Sequence, residues 1–140
     1  AQWVGGDLPT EAEWEIAARG GLVGEPYEWG SADPEDGPAR ANTWQGVFPF
    51  ENKAVDGYVG TAPVGSYPAN GYGLCDMTGN VWEWTRGRFN MEDDNSGVIR
   101  GGSHLCAENF CRRYRPASRQ PHERDFSTSH IGFRLVYRGE

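Results

Sequence analysis

The sequence predicts an α+β fold that is mostly irregular, with little regular secondary structure. Three observations carry this expectation. One segment near the start has complete helix end signals, three short β-like runs occur in the second half, and glycine and proline punctuate the rest at 20 and 9 of 140 residues.

The helix is expected over Thr10–Gly20. Thr10 is a fitting N-cap, Glu13 stands where a capping box needs it, Glu11 and Glu13 favour the positive end of the helix dipole, and Gly20 supplies a left-handed stop. From Leu22 to about Asn70 no period of 3.6 or 2 persists. Trp29, Trp44, Phe48, Phe50 and Tyr58 are spread through that stretch, and disordered segments are poor in aromatics. Ordered irregular structure is therefore expected, with something besides regular ladders satisfying its backbone; bound cations are one way to do so. The runs Val81–Thr85, Gly97–Gly102 and Ile131–Tyr137 read as strands of one small sheet. No internal repeat or linker divides the chain.

A net charge of −7 and a pI near 4.9 exclude nucleic acid and anionic membranes as main partners, because both would repel such a surface. No run approaches the roughly 20 apolar residues of a membrane helix, and no signal-peptide pattern opens the chain, so a soluble protein is expected. Arg112, Arg113, Arg115 and Arg119 form a local basic cluster, read either as ordinary salt bridges to some of the 20 carboxylates or as a binding patch. Three cysteines are an odd count, which a purely structural disulfide framework would not use up.

Five blocks stand out together: Leu8–Glu15 (LPTEAEWE), Ala41–Gly46 (ANTWQG), Asn70–Leu74 (NGYGL), Gly79–Trp84 (GNVWEW) and Arg100–Ser103 (RGGS). With them the chain resembles the formylglycine-generating enzyme (sulfatase-modifying factor) family, whose scaffold is C-type-lectin-like and is shared with ergothioneine-synthesis oxidases and variable ligand-binding proteins. The run Cys106–Arg115 (CAENFCRRYR), followed by Ser127–Arg134 (STSHIGFR), resembles the catalytic branch. The matched blocks belong to the later part of such a domain. Residues 1–140 are accordingly expected to form a single domain of this kind without the family's N-terminal section.

The resemblance implies a copper-dependent oxidase that uses O2 to convert a cysteine in a Cys-x-Pro-x-Arg segment of an unfolded sulfatase to Cα-formylglycine. Hydrogen is removed from the cysteine Cβ, and the thioaldehyde is hydrolysed. Cys106 and Cys111 would bind Cu(I); soft sulfur suits that ion, although spacing alone equally allows a disulfide or two core thiols. By the same resemblance Ser103 lies at the active site, Trp82 walls the pocket and His130 can donate a hydrogen bond there. Each has a plainer reading, as a turn hydroxyl, a core ring and a structural histidine. Phe110 stands where a tyrosine is usual, which removes a hydroxyl beside Cys111.

Two oxygen-rich sets match calcium sites of the family. The first is Asn42, the Thr43 carbonyl, Asp56 and the Tyr58 carbonyl; the second is Asp76, the Gly79 and Val81 carbonyls and Glu83. The alternative for both is that Asp, Asn and Gly merely form Asx-turns. Cys75 is read as a free structural thiol, and His104 receives no role. A monomer in a prokaryotic cytoplasm is expected. Two other readings stand beside the oxidase: a non-catalytic lectin-like module that binds a ligand or protein, and a thiol redox protein cycling a Cys106–Cys111 disulfide.

Overall fold

In the computed structural model, which describes residues 1–139, helix α1 spans Glu11–Arg19. Both halves of the capping box are present: Glu13 N–H donates to Thr10 Oγ1, and Thr10 N–H donates to Glu13 Oε2 at 2.7 Å. Gly20 ends the helix at φ 55°, where a Cβ would lie 2.8 Å from the Gly71 nitrogen. Asn70 explains that closeness, because its Nδ2 donates to the Ala17 carbonyl at 2.7 Å and satisfies a helix-end acceptor from a distant loop.

Four strands form one mixed sheet in the order β3-β2-β1-β4: β1 (Trp82–Thr85), β2 (Ser96–Arg100), β3 (Arg119–Glu123) and β4 (Ile131–Gly132). β2 lies antiparallel to both β1 and β3, while β4 runs parallel to β1. Two expectations need correction. The run Ile131–Tyr137 contributes only its first two residues to the sheet, and Val136 instead bridges to Asp7. Strand β3 was not expected from the sequence. It carries Pro121 and four polar residues, and it is tolerated because it lies at a sheet edge.

Trp14 and Ala18 of α1 are fully buried against Met77, and Tyr27, Trp82, Ile99, Cys106 and Tyr114 form a second core cluster. Arg100 joins helix to sheet. Its buried guanidinium pairs with Glu15 at 2.7 Å and with Glu11 at 3.2 Å, donates to the Pro116 carbonyl, and lies over the Trp14 ring. The segment 22–70 is ordered but irregular, as its aromatic content suggested. Its backbone is held by side-chain amides and carboxylates, including Asn80 Oδ1 accepting from Ala62 N–H and Asp56 accepting from Thr43 and Tyr58 N–H. Among the described residues no helix is long and apolar enough to cross a membrane.

Candidate active site

The path from β2 to the two cysteines is set by a left-handed turn. Gly101 and Gly102 have φ of 92° and 74°, and they turn the chain into the buried Ser103, whose carbonyl accepts from Cys106 N–H at 2.9 Å. Trp44 N–H donates to the Cys106 carbonyl at 3.0 Å, fixing that residue from the other side. One helical turn then follows: Cys111 N–H donates to the Ala107 carbonyl at 3.0 Å and brings Cys111 back over Cys106. The two Sγ atoms are 2.7 Å apart, with one sulfur donating to the other.

The two thiols face different surroundings. Cys106 is 2% exposed and belongs to the core cluster, so burial and its contact with the neighbouring sulfur push its pKa up. Cys111 is half-buried, and its pKa falls to about 7, first through the hydrogen bond from Cys106 and then through the charge of Arg113. Of the two sulfurs, Cys111 is the one that ionises more readily.

A cavity of about 370 Å³ opens over the pair, and Trp82, Ser103 and His130 line it together with both cysteines. All five residues singled out for catalysis meet there. Trp82 is 3% exposed and packs in the core as well as facing the cavity. Ser103 is buried and its Oγ accepts from Leu105 N–H at 3.2 Å, which leaves its hydroxyl hydrogen to donate elsewhere. His130 is held where β4 joins β1, its carbonyl accepting from Trp82 N–H, and burial lowers its pKa and favours the neutral ring. Phe48, Leu105, Phe110, Arg113 and Gln120 complete the lining. Phe110 stacks on Phe48 with ring centroids 4.4 Å apart. Sequence reasoning missed Phe48, Leu105 and Gln120 as lining residues, and Arg113 was legible only as one of four arginines.

Two sulfurs converging without carboxylates suit a soft ion by donor type, and no third His, Cys, Asp or Glu among the described residues joins them in a metal-binding cluster. The first oxygen-rich set contains an unmet need. Asn80 Oδ1 accepts from Ala62 N–H, so Asn42 must donate to it through Nδ2, which also donates to the Gly60 carbonyl. That fixed orientation leaves the Oδ1 of Asn42 buried without a partner. The next residue, Thr43, donates its N–H to Asp56, whose pKa burial raises. A hard cation would meet both demands.

The second set is arranged around a guanidinium. Glu83 accepts two hydrogen bonds of 2.7 Å from Arg134 and a third of 2.7 Å from Trp14 Nε1, and Asp76 Oδ2 accepts from Gly65 N–H. No buried side-chain oxygen in this set is left unpaired. Cys75 lines a separate cavity that Asp76, Glu83 and Arg134 also line, not the one over the thiol pair. His104 Nδ1 contacts the Asn80 carbonyl, a bracing position.

Residues 1–138 match the family described as the sulfatase-modifying factor enzyme 1-like domain. Among curated relatives, the chain is 48% identical to a formylglycine-generating enzyme of Mycobacterium tuberculosis, over 97% of the chain and 52% of that protein. It is also 44% identical to a protein of Bos taurus named inactive C-alpha-formylglycine-generating enzyme 2, over 96% of the chain and 44% of the relative. The chain therefore spans about half the length of the curated relatives it matches. Its structure is similar to that of PvdO from Pseudomonas aeruginosa, with a TM-score of 0.78 at 28% identity over 96% of this chain and 56% of that one. CarF gives a TM-score of 0.70 at 32% identity, over 93% of this chain and 46% of that one. The chain belongs to the formylglycine-generating enzyme family, the sulfatase-modifying factor enzyme 1-like domains.

Proposed function

We propose that this chain carries the thiol pair of a copper-dependent oxidase that converts a cysteine in a Cys-x-Pro-x-Arg segment of an unfolded sulfatase to Cα-formylglycine. The observation that supports the reading is the convergence of Cys106, Cys111, Ser103, Trp82 and His130 on one cavity, in a chain 48% identical to a protein named for that activity. Cu(I) held by Cys106 and Cys111 would supply the activation of O2.

The chain's own residues bind and orient. Cys111, the more readily ionised of the pair, gives up its proton more easily to become a ligand, while Cys106 does so only when a cation replaces the stabilisation that burial denies it. The hydroxyl of Ser103 is free to donate to an acceptor in the cavity. The rings of Trp82, Phe48 and Phe110 present apolar walls that hold a peptide and exclude water. Calcium at Asn42, Thr43, Asp56 and Tyr58, and more weakly at Asp76, Gly79, Val81 and Glu83, would brace the loops outside the cavity.

The test is Cu(I) titration of the reduced chain together with O2-dependent conversion of a Cys-x-Pro-x-Arg peptide, followed by mass spectrometry. One-to-one copper binding, and exchange of the peptide sulfur for oxygen with loss of two hydrogens to leave an aldehyde, both lost in Cys106→Ala and Cys111→Ala, are expected. If copper binds the native chain no more tightly than the variants, the oxidase reading fails. The second reading is a non-catalytic binding module on the same scaffold. It is favoured by the relative named as inactive and by Phe110, which has no hydroxyl to offer at the cavity wall. Peptide binding without copper binding would select it.

A further inference from the structure

Arg113 is the one arginine of its cluster that faces the cavity over the thiol pair. Arg112 pairs with Glu108 at 2.8 Å and Arg119 with Glu11 at 2.8 Å, while Arg115, which does not line the cavity, donates through Nε to the Arg112 carbonyl. Arg113 instead donates through Nη1 to the side-chain oxygen of Gln120 on the edge strand β3, and no carboxylate among the described residues forms an ion pair with it. A neutral amide orients a guanidinium without cancelling its charge, whereas a carboxylate would do both. The cavity lining contains no Asp or Glu, although the chain has 20 of them. The result is a held positive charge beside the Cys111 thiol, with no carboxylate partner and with four of its five side-chain N–H groups bonded to no other protein group among the described residues.

We propose that Arg113 is a specificity-determining residue that receives a carboxylate of the entering peptide, an Asp or Glu side chain close to the target cysteine. This rests on the reading of the cavity as a peptide site. The planar fork of the guanidinium suits the two oxygens of a carboxylate, and Gln120 sets its direction. A lysine at the same place in the peptide would meet like charge, and glutamine would keep hydrogen bonding but lose the charge.

The experiment uses labelled peptides in which serine replaces the target cysteine, so that binding is read without turnover. Each carries Glu, Gln or Lys at one of the two positions before the serine or at one of the x positions after it. Affinity is followed by fluorescence anisotropy with the whole chain and with Arg113→Gln, Arg113→Lys and Arg113→Glu, each checked for native unfolding midpoints. For at least one position the native chain is expected to prefer Glu over Gln by about threefold to fivefold, the scale of a solvent-accessible ion pair. That preference should disappear in Arg113→Gln, persist in part in Arg113→Lys and invert towards Lys in Arg113→Glu. Binding with no charge preference, or a preference unchanged in Arg113→Gln, overturns the assignment while leaving the peptide site intact. Absence of binding by every peptide overturns both.

Discussion

The indole Nε1 of Trp14 donates to Glu83 Oε2 at 2.7 Å, a fully buried link between helix α1 and strand β1 across 69 positions of sequence. The same carboxylate is gripped by Arg134, so helix, sheet and the chain after β4 meet at one charge. Trp14→Phe leaves Glu83 short of one donor and also opens a small void where the indole packs beside Gly101 and Met77. Because a buried hydrogen bond to a charged group is worth about 1.5–3 kcal/mol and the void adds to it, the variant should unfold at least about 2 kcal/mol more easily in urea. An unchanged midpoint would mean that Arg134 alone satisfies Glu83.

Cys111 should react as a thiolate at unusually low pH. With its pKa lowered to about 7, the ionised form predominates above that pH and disappears below it. Alkylation by iodoacetamide in the metal-free, reduced chain is therefore expected to reach half its limiting rate near pH 7, well below the 8.5 or so of an ordinary thiol. The Cys106 thiol is the leading cause, so Cys106→Ala should move the midpoint upward and Cys106→Ser should move it less. A midpoint unaffected by Cys106→Ala would show that Arg113 or solvent, not the paired sulfur, sets the ionisation.

Gly102 makes the thiol geometry depend on a position without a side chain. Its φ is 74°, and a Cβ there would lie 2.9 Å from the Tyr114 nitrogen and 3.1 Å from the Arg113 carbonyl carbon. Gly24 has nearly the same φ, 73°, with open space around it. Gly24→Ala should show only the backbone strain of about 1–2 kcal/mol, whereas Gly102→Ala should add a clash that pushes residues 113–114 away from Ser103. The decisive readout is the Cys111 alkylation profile: it is expected to move towards that of an ordinary thiol in Gly102→Ala and to stay in place in Gly24→Ala.

What could be read from the sequence depended on how local the cause was. Helix α1 was legible because Thr10, Glu13 and Gly20 fix both ends within eleven residues. Strand β3 was not, since Pro121 and its polar neighbours argue against a strand and only pairing with β2 makes them one. For the same reason Gln120 could not be placed beside Arg113. The meeting of Cys106 and Cys111 with Ser103, Trp82 and His130 was expected from family resemblance, because spacing alone left a disulfide or two core thiols open. The second oxygen-rich set was legible by residue type, but not the fact that Arg134, 51 positions after Glu83, already supplies that carboxylate with a positive charge.

Asn42 gives the calcium expectation its sharpest test. Its Nδ2 is committed to the Gly60 carbonyl and Asn80 Oδ1, so a flip of the amide cannot rescue the orphaned Oδ1; it would place two oxygens against each other. A cation that accepts this oxygen and the Asp56 carboxylate would remove one desolvation cost and reverse the upward pressure on the Asp56 pKa. Calcium should therefore raise the unfolding temperature relative to the same protein in chelator, by an amount that grows with the logarithm of its concentration. Calorimetric titration should resolve a tighter step that Asn42→Ala or Asp56→Asn removes and a weaker one that Asp76→Asn removes, the order following from Glu83 being already paired with Arg134. If Asn42→Ala keeps the full calcium shift, the unpaired oxygen is not a ligand and the loop from 41 to 60 is held by its Asx-type hydrogen bonds alone.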